Sequence, residues 1–300
     1  MVTNAPEADI SFEQTGTCYG DIVHEFKVKL EEAGMDTPEL DARLLVQGLL
    51  GVTHEELLLS AEKILEKTEE AALRKALERR LQHEPVSRII GTRGFWKSDF
   101  KITRYTLDPR PDSETLIEAA LHWLPEARTQ KMRVLDLGTG SGCLLLSLLQ
   151  EWPQSVGIGI DISPGAIRTA VANERLLGLQ KRVAFQAMNW EAYRPKGRCD
   201  VLISNPPYIA EREREELSPE VVNYDPHEAL FAGQDGLEAY RSLARMAPAW
   251  LRKGGMAFYE IGHTQAAAVK ELLAAHGQTV LETRKDLAGR DRVIVARLAE

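Results

Sequence analysis

The sequence predicts an α/β fold: a mostly parallel, seven-stranded Rossmann-like sheet, preceded by a small helical bundle and a β-hairpin linker. Three observations predict it. From Arg133 onward, short apolar runs alternate with helical stretches, which is the pattern of a parallel sheet. Between residue 21 and about residue 85, leucines recur at helical spacing. Two motifs with special backbone chemistry, the glycine turn 138–142 and Asn205-Pro206-Pro207-Tyr208, each follow an apolar run directly. That puts both at strand tips, where open α/β sheets bind ligands.

Residues 1–20 mix polar residues with Pro and Gly and are expected to form a flexible tail. Residues 21–85 are expected to be helical. Leu40, Leu44, Leu45 and Leu49 form one stripe, and Leu73, Ala76, Leu77 and Leu81 a second, both predicted to face inward. Thr37-Pro38-Glu39 is a helix start, Gly51 a helix end, and Ser60 or Thr68 could cap later helices. Glu84-Pro85 breaks the pattern. Over residues 86–108, Arg88-Ile89-Ile90, Gly94-Phe95-Trp96 and Phe100-Lys101-Ile102 read as short strands, with Lys97-Ser98-Asp99 turning between the last two. The polar run Pro109 to Glu114 follows, and Asp112 or Ser113 can cap the helix that begins near Glu114. Beyond it, strands are expected at 133–137, 156–160, 182–186, 200–204, 256–261, 279–285 and 291–297. A Gly289 turn joins the last two, so the final strand should be antiparallel. The mixed-charge run Glu211 to Glu216 reads as a solvated helix or loop.

Composition narrows the function. The chain has 300 residues, 44% apolar and 27% charged, with a formal net charge of −8. An acidic balance argues against a dedicated nucleic-acid binder. Cys18, Cys143 and Cys199 are far apart and odd in number, so they frame no disulfides and no zinc site. They suit a reducing compartment, and a cytoplasmic location is expected. The scattered histidines suggest no metal site. No apolar stretch approaches a membrane span, and the first twenty residues lack the charged start and apolar block of a secretory signal.

The chemistry is concentrated at strand ends. Val134-Leu135-Asp136-Leu137 runs into Gly138-Thr139-Gly140-Ser141-Gly142, a strand feeding a glycine turn at a helix start. Taken alone, such a turn also serves dinucleotides. Here the G-x-G-x-x-G spacing fails, because Cys143 stands where its third glycine belongs. The next strand ends in Asp161, a carboxylate able to accept from two ribose hydroxyls. The third leads to Asn189 and Trp190, which could line an adenine pocket; for Trp190 the alternative is ordinary core packing. Val201-Leu202-Ile203 ends at the tetrad, since neither proline can donate to a ladder.

Asn205-Pro206-Pro207-Tyr208 resembles the signature of methyltransferases that modify a planar –NH2 group, either a nucleobase amine or a glutamine amide. Together with the glycine turn and Asp161, it resembles class I S-adenosylmethionine-dependent methyltransferases. An amide nitrogen is a poor nucleophile, because its lone pair is shared with the carbonyl. Two fixed acceptors on its N–H bonds would orient it: the Asn205 side-chain oxygen and the Pro206 carbonyl. The prolines would hold both rigid, and Tyr208 would offer a flat face. No strong base is required.

Over residues 21–298 the chain is similar to the HemK/PrmC family of N5-glutamine methyltransferases. The likeness rests on Glu84-Pro85-Val86, Ile89-Ile90-Gly91, Phe95-Trp96, Pro109 to Glu114, Val134 to Gly142, the tetrad and Asp235-Gly236-Leu237. The resemblance implies a catalytic domain over 109–300 and a substrate-binding helical domain over 21–85. It implies S-adenosyl-L-methionine as cofactor and, as substrate, the glutamine of the Gly-Gly-Gln motif in class 1 peptide-chain release factors. Gly138, Thr139, Gly140, Ser141, Gly142, Asp161, Trp190 and Asn205 would contact the cofactor, and Asn205 to Tyr208 the glutamine. Arg110 and Glu114 would flank the entrance. Asp108 stands where the family more often has an aliphatic residue, and Asn189 where it often has an acidic one. The protein is expected to act as a monomer, with no direct nucleic-acid partner. Two alternatives share the tetrad: glutamine methylation of a large-subunit ribosomal protein, and amine methylation of DNA or RNA. A non-catalytic module that keeps the fold is a further reading, against which the intact motifs argue.

Overall fold

The computed structural model describes residues 16–300, which fall into two compact units, one ending at Ile90 and one running from Gly91 to Glu300. The expectation of a flexible tail over residues 1–15 lies outside the described residues. Residues 16–20 depart from it: helix α1 (Tyr19–Glu32) already begins there, with Tyr19 buried and the Cys18 thiol accepting from the Asp21 N–H.

The first unit continues with α2 (Pro38–Leu50), α3 (His54–Leu59), α4 (Lys67–Leu81) and α5 (Val86–Ile90). Ile22, Phe26 and Leu30 of α1 meet Leu45, Leu73 and Leu77 in its core. The second predicted stripe is largely inward, but the first is rotated. Leu40 and Leu49 are exposed, and α2 buries Asp41, Ala42, Leu45 and Val46 instead. The reason lies 39 residues further on: Arg80 Nε donates to Asp41 Oδ2 at 2.7 Å, so the carboxylate is buried with its partner. Gly51 ends α2 in the left-handed region, as expected. The caps of the next helices fall elsewhere than predicted. Thr53 and Glu56 form a capping box on α3, and Glu66 and Glu69 one on α4; Ser60 closes α3 and Thr68 lies inside α4. Arg88-Ile89-Ile90 is not a strand. Arg88 N–H and Ile89 N–H both donate to the Pro85 carbonyl, so Pro85 opens a helical turn that carries Ile89 into the core.

The second unit opens with the hairpin β1 (Thr92–Phe95) and β2 (Ser98–Lys101). Phe95 pairs with Ser98, so Trp96 and Lys97 make the turn rather than 97–99. Trp96 holds a left-handed φ of 55°. Its N–H donates to Glu114 Oε1 at 2.7 Å and its indole N–H to Glu151 Oε1 at 2.8 Å. Helix α6 (Glu114–Trp123) follows a short helical turn, Pro111–Ser113; Ser113 stands at the cap position without making the cap hydrogen bond.

Then come β3 (Arg133–Leu137), α7 (Cys143–Glu151), β4 (Val156–Asp161), α8 (Pro164–Leu176), β5 (Val183–Ala187) and β6 (Cys199–Ser204). After them run α9 (Pro219–Tyr224), α10 (His227–Leu230), α11 (Glu238–Trp250), β7 (Leu251–Glu260), α12 (Ala266–Ala275), β8 (Gln278–Lys285) and β9 (Asp291–Leu298). The seven strands lie in the order β5-β4-β3-β6-β7-β9-β8, with β3 to β7 parallel and β9 antiparallel to both neighbours. Side chains alternate across the sheet. Val134, Val201, Phe258 and Val295 meet α6 and α7 on one face, while Leu135, Leu202, Tyr259 and Ile294 meet α11 and α12 on the other. The order reverses between β3 and β6, so their following segments diverge and open a crevice at the strand tips. Among the described residues no helix is long and apolar enough to cross a membrane.

Candidate active site

A cavity of about 520 Å³ lies at these tips. The turn after β3, the end of β4, the turn after β5 and the tetrad after β6 all contribute to its wall. Gly138, Thr139, Gly140, Ser141, Asp161, Asn189, Trp190, Asn205 and Pro207 line it, whereas Gly142, Pro206 and Tyr208 do not.

The glycine turn is wound with φ of 74°, 55° and 79° at Gly138, Gly140 and Gly142, values that only glycine adopts without strain. Four of its five N–H groups are spent inside the protein. Gly138 and Thr139 donate to the Ile160 carbonyl, Gly140 to Asp161 Oδ2 at 2.9 Å, and Gly142 to the Thr139 carbonyl. A phosphate cradle keeps such donors free for its anion, so this turn is not built for a pyrophosphate. The neighbouring charges agree. Among the described residues, Asp161, Glu228 and Glu238 line the cavity beside Arg110, itself paired with Asp225, and Glu191 lines it paired with Arg245, a balance that favours a cationic ligand.

Asp161 ties the wall together, since Oδ1 accepts the Ser163 N–H and Oδ2 that of Gly140, both at 2.9 Å. A carboxylate offers about four lone-pair sites, so capacity remains for a ligand. Burial raises its pKa, with the Glu228 charge adding to the effect. Asp136 sits beneath the turn. It accepts from Thr139 Oγ1 at 2.6 Å, and its Oδ1 has no partner among the described residues. Burial pushes it up to about 7. Asn189 Oδ1 caps the following turn by accepting from Glu191 N–H at 2.8 Å, leaving a second lone pair for a ligand. Trp190 does both things considered for it: it packs on the core below α11 and lines the cavity, with its indole N–H donating to Ser242 Oγ at 3.0 Å.

The tetrad is held from three sides. The Tyr208 carbonyl accepts from Gln265 Nε2 at 2.8 Å, and Ile209 exchanges backbone hydrogen bonds with Leu230 and Ala232. Gly236 lies so close that a Cβ would stand 2.4 Å from the Tyr208 oxygen, which accounts for the glycine in Asp235-Gly236-Leu237. Burial raises the Tyr208 phenol further above its ordinary range. Asn205 Nδ2 donates to Ser113 Oγ at 3.2 Å. Arg110 lines the cavity while donating to Asp225 Oδ2 at 2.6 Å. Glu114 turns away, to the hairpin.

Three contributors were not singled out from the sequence: Ser113 as a partner of Asn205, Gln265 as the clamp on Tyr208, and Glu260. Glu260 is 1% exposed at the tip of β7, where Ser113 and Asn205 beside its carboxyl work against the effect of burial, and its Oε2 has no hydrogen-bond partner among the described residues. The strand-tip rule applied to β7 would have found it.

Profiles of known families match both parts of the chain. One described as the PrmC N-terminal domain matches residues 21–91, and one described as a methyltransferase domain matches residues 128–246. The release factor glutamine methyltransferase of Rhodospirillum rubrum is 44% identical over 285 residues, covering 95% of this chain and 86% of its own. The chain belongs to the release factor glutamine methyltransferase family. Another member, from Cereibacter sphaeroides, is 43% identical over 90% of this chain and 95% of its own. Outside the family, the hMettl16 catalytic domain shares the fold alone, at 16% identity and a TM-score of 0.50 over 78% of this chain and 82% of that one.

Proposed function

We propose that this protein glutamine methyltransferase methylates N5 of the glutamine in the Gly-Gly-Gln motif of class 1 peptide-chain release factors, with S-adenosyl-L-methionine as cofactor. One observation carries the reading: 44% identity over 95% of the chain to a release factor glutamine methyltransferase. The cavity suits the cofactor, being lined by carboxylates, walled by a turn that offers no phosphate cradle, and equipped with an Asp161 that has acceptor capacity left. When bound, the cofactor supplies an electrophilic sulfonium methyl.

The chain's own residues bind and orient. Gly138 to Ser141, Asp161, Trp190 and Asn205 hold the cofactor, and Gly142 shapes the turn. Asn205 Oδ1 and the Pro206 carbonyl accept from the two N–H bonds of the glutamine amide. This fixes its plane and draws its lone pair toward the methyl. Pro206 and Pro207 keep the acceptors preorganised, and Tyr208 supports the loop that carries them. The helical unit serves to grip the protein substrate.

The test is a methylation assay with cofactor and an unmodified class 1 release factor, read by tandem mass spectrometry. A single methyl on the Gly-Gly-Gln glutamine is expected. No methyl there, with cofactor binding confirmed by calorimetry, refutes the substrate; a methyl on a large-subunit ribosomal protein instead would reassign it.

A further inference from the structure

Asn205 can serve as an acceptor only if its carboxamide is the right way round. Its two ends are alike in size, so hydrogen-bond partners decide which one faces the substrate. Glu260 is the decisive neighbour. Tyr259 pairs with Ser204 across β7 and β6, so the next residue on each strand brings Glu260 beside Asn205. The carboxyl is fully enclosed with Ser113 and Asn205 beside it, and its Oε2 has no hydrogen-bond partner among the described residues, so it is an acceptor in want of a donor. An ionised carboxylate only accepts. The end of Asn205 that meets it must therefore be the NH2, and the same Nδ2 also donates to Ser113 Oγ at 3.2 Å. The Ser113 hydroxyl, having accepted from Asn205, has its own proton to offer Glu260. Every donor in the triad then has an acceptor, and only Oδ1 is left to face the cavity that Asn205 lines.

We propose that Glu260, acting with Ser113, is a positioning residue that fixes the Asn205 carboxamide with its oxygen toward the substrate amide. This rests on Asn205 being the acceptor in the proposed reaction. With Glu260 protonated, the triad loses its direction: a carboxylic acid can donate to Oδ1 and stabilise the flipped carboxamide, which presents N–H to N–H. Burial pushes Glu260 up to about 7, so this change falls within the working range of an assay. The groups that face it are Arg292 on β9, Asp112 before α6, Tyr208 after β6, Tyr240 on α11 and Cys143 at the start of α7. Of these, Arg292 opposes protonation and Asp112 favours it.

The experiment compares wild type, Glu260→Gln, Ser113→Ala, Asn205→Ala and the double variant Asn205→Ala/Glu260→Gln. Readouts are kcat, KM for the release factor, cofactor Kd and the pH profile of kcat. A glutamine at 260 both donates and accepts, so it no longer selects an orientation. Glu260→Gln should lower kcat by about 100-fold, the cost of a misplaced reacting group, with cofactor Kd unchanged. Wild-type turnover should fall as pH drops through about 7, and Glu260→Gln should lack that limb. Ser113→Ala should lower kcat in the same way, by about 10-fold. The double variant should be no slower than Asn205→Ala, because both changes act through one group. Wild-type kcat in Glu260→Gln with an inactive Asn205→Ala overturns the role of Glu260 and spares that of Asn205. Wild-type kcat in Asn205→Ala overturns the underlying reading. Should Glu260→Gln not fold, wild-type kcat in Ser113→Ala overturns the triad.

Discussion

Replacing Asp161 with alanine separates ligand binding from chemistry. The carboxylate accepts from Gly140 N–H and Ser163 N–H, each at 2.9 Å, and has acceptor capacity left in the cavity wall it forms. A hydrogen bond to a charged group is worth about 1.5–3 kcal/mol. Loss of the ligand-facing contacts should therefore raise the S-adenosylmethionine Kd by about 10- to 150-fold. The fold should also weaken, since two N–H groups lose their acceptor at about 1–3 kcal/mol each where water cannot replace it. Asp161→Asn keeps an acceptor oxygen and loses the charge, so it should fall between wild type and alanine. Titration calorimetry measures the first effect and urea unfolding without ligand the second. An unchanged Kd in Asp161→Ala, with the protein folded, refutes the assignment of Asp161 to the cofactor.

Other substitutions probe the scaffold. Asp136 is raised to about 7 by burial from an ordinary 3.8, so it binds a proton in the folded state that the unfolded chain has released. Its contribution to stability is complete below about pH 4 and is lost as pH rises through about 7. Asp136→Asn should therefore gain stability relative to wild type at pH 8 compared with pH 5, measured by urea unfolding at both; an equal difference at the two pH values would count against it. Gly236 has a φ of 73°, and a Cβ there would meet the Tyr208 oxygen at 2.4 Å. Gly236→Ala should cost at least about 1–2 kcal/mol from backbone strain and slow turnover by displacing the tetrad; wild-type stability by denaturant titration would refute the contact. Leu45→Ala should cost about 2–5 kcal/mol, whereas Leu40→Ala, on the exposed face of α2, should stay within about 0.5 kcal/mol. Equal losses in thermal unfolding would refute the observed rotation of that helix.

What the sequence determined by itself was everything carried by contiguous residues. The strands after Arg133 were legible because a buried parallel strand is a local apolar run, and the observed bounds lie within a residue or two for six of the seven. The seventh, β7, begins at Leu251 rather than 256, ahead of a left-handed Gly254 that marks a bend no apolar run announces. Glycine turn, Asp161 and tetrad were legible for the same reason: each is a short segment whose backbone chemistry follows from its own residues. Tertiary structure alone decided which faces and which distant residues meet. Helical spacing allows α2 more than one apolar face, and Arg80 on α4 chose the one that buries Asp41. Pro85 read as a break until its carbonyl was seen to start α5. Ser113, Asn205 and Glu260 lie far apart in sequence and meet because β6 and β7 are neighbours in the sheet and α6 packs on β7. Local propensity acts over a few residues, whereas the match of one buried polar group to another is set by the packing that brings their elements together.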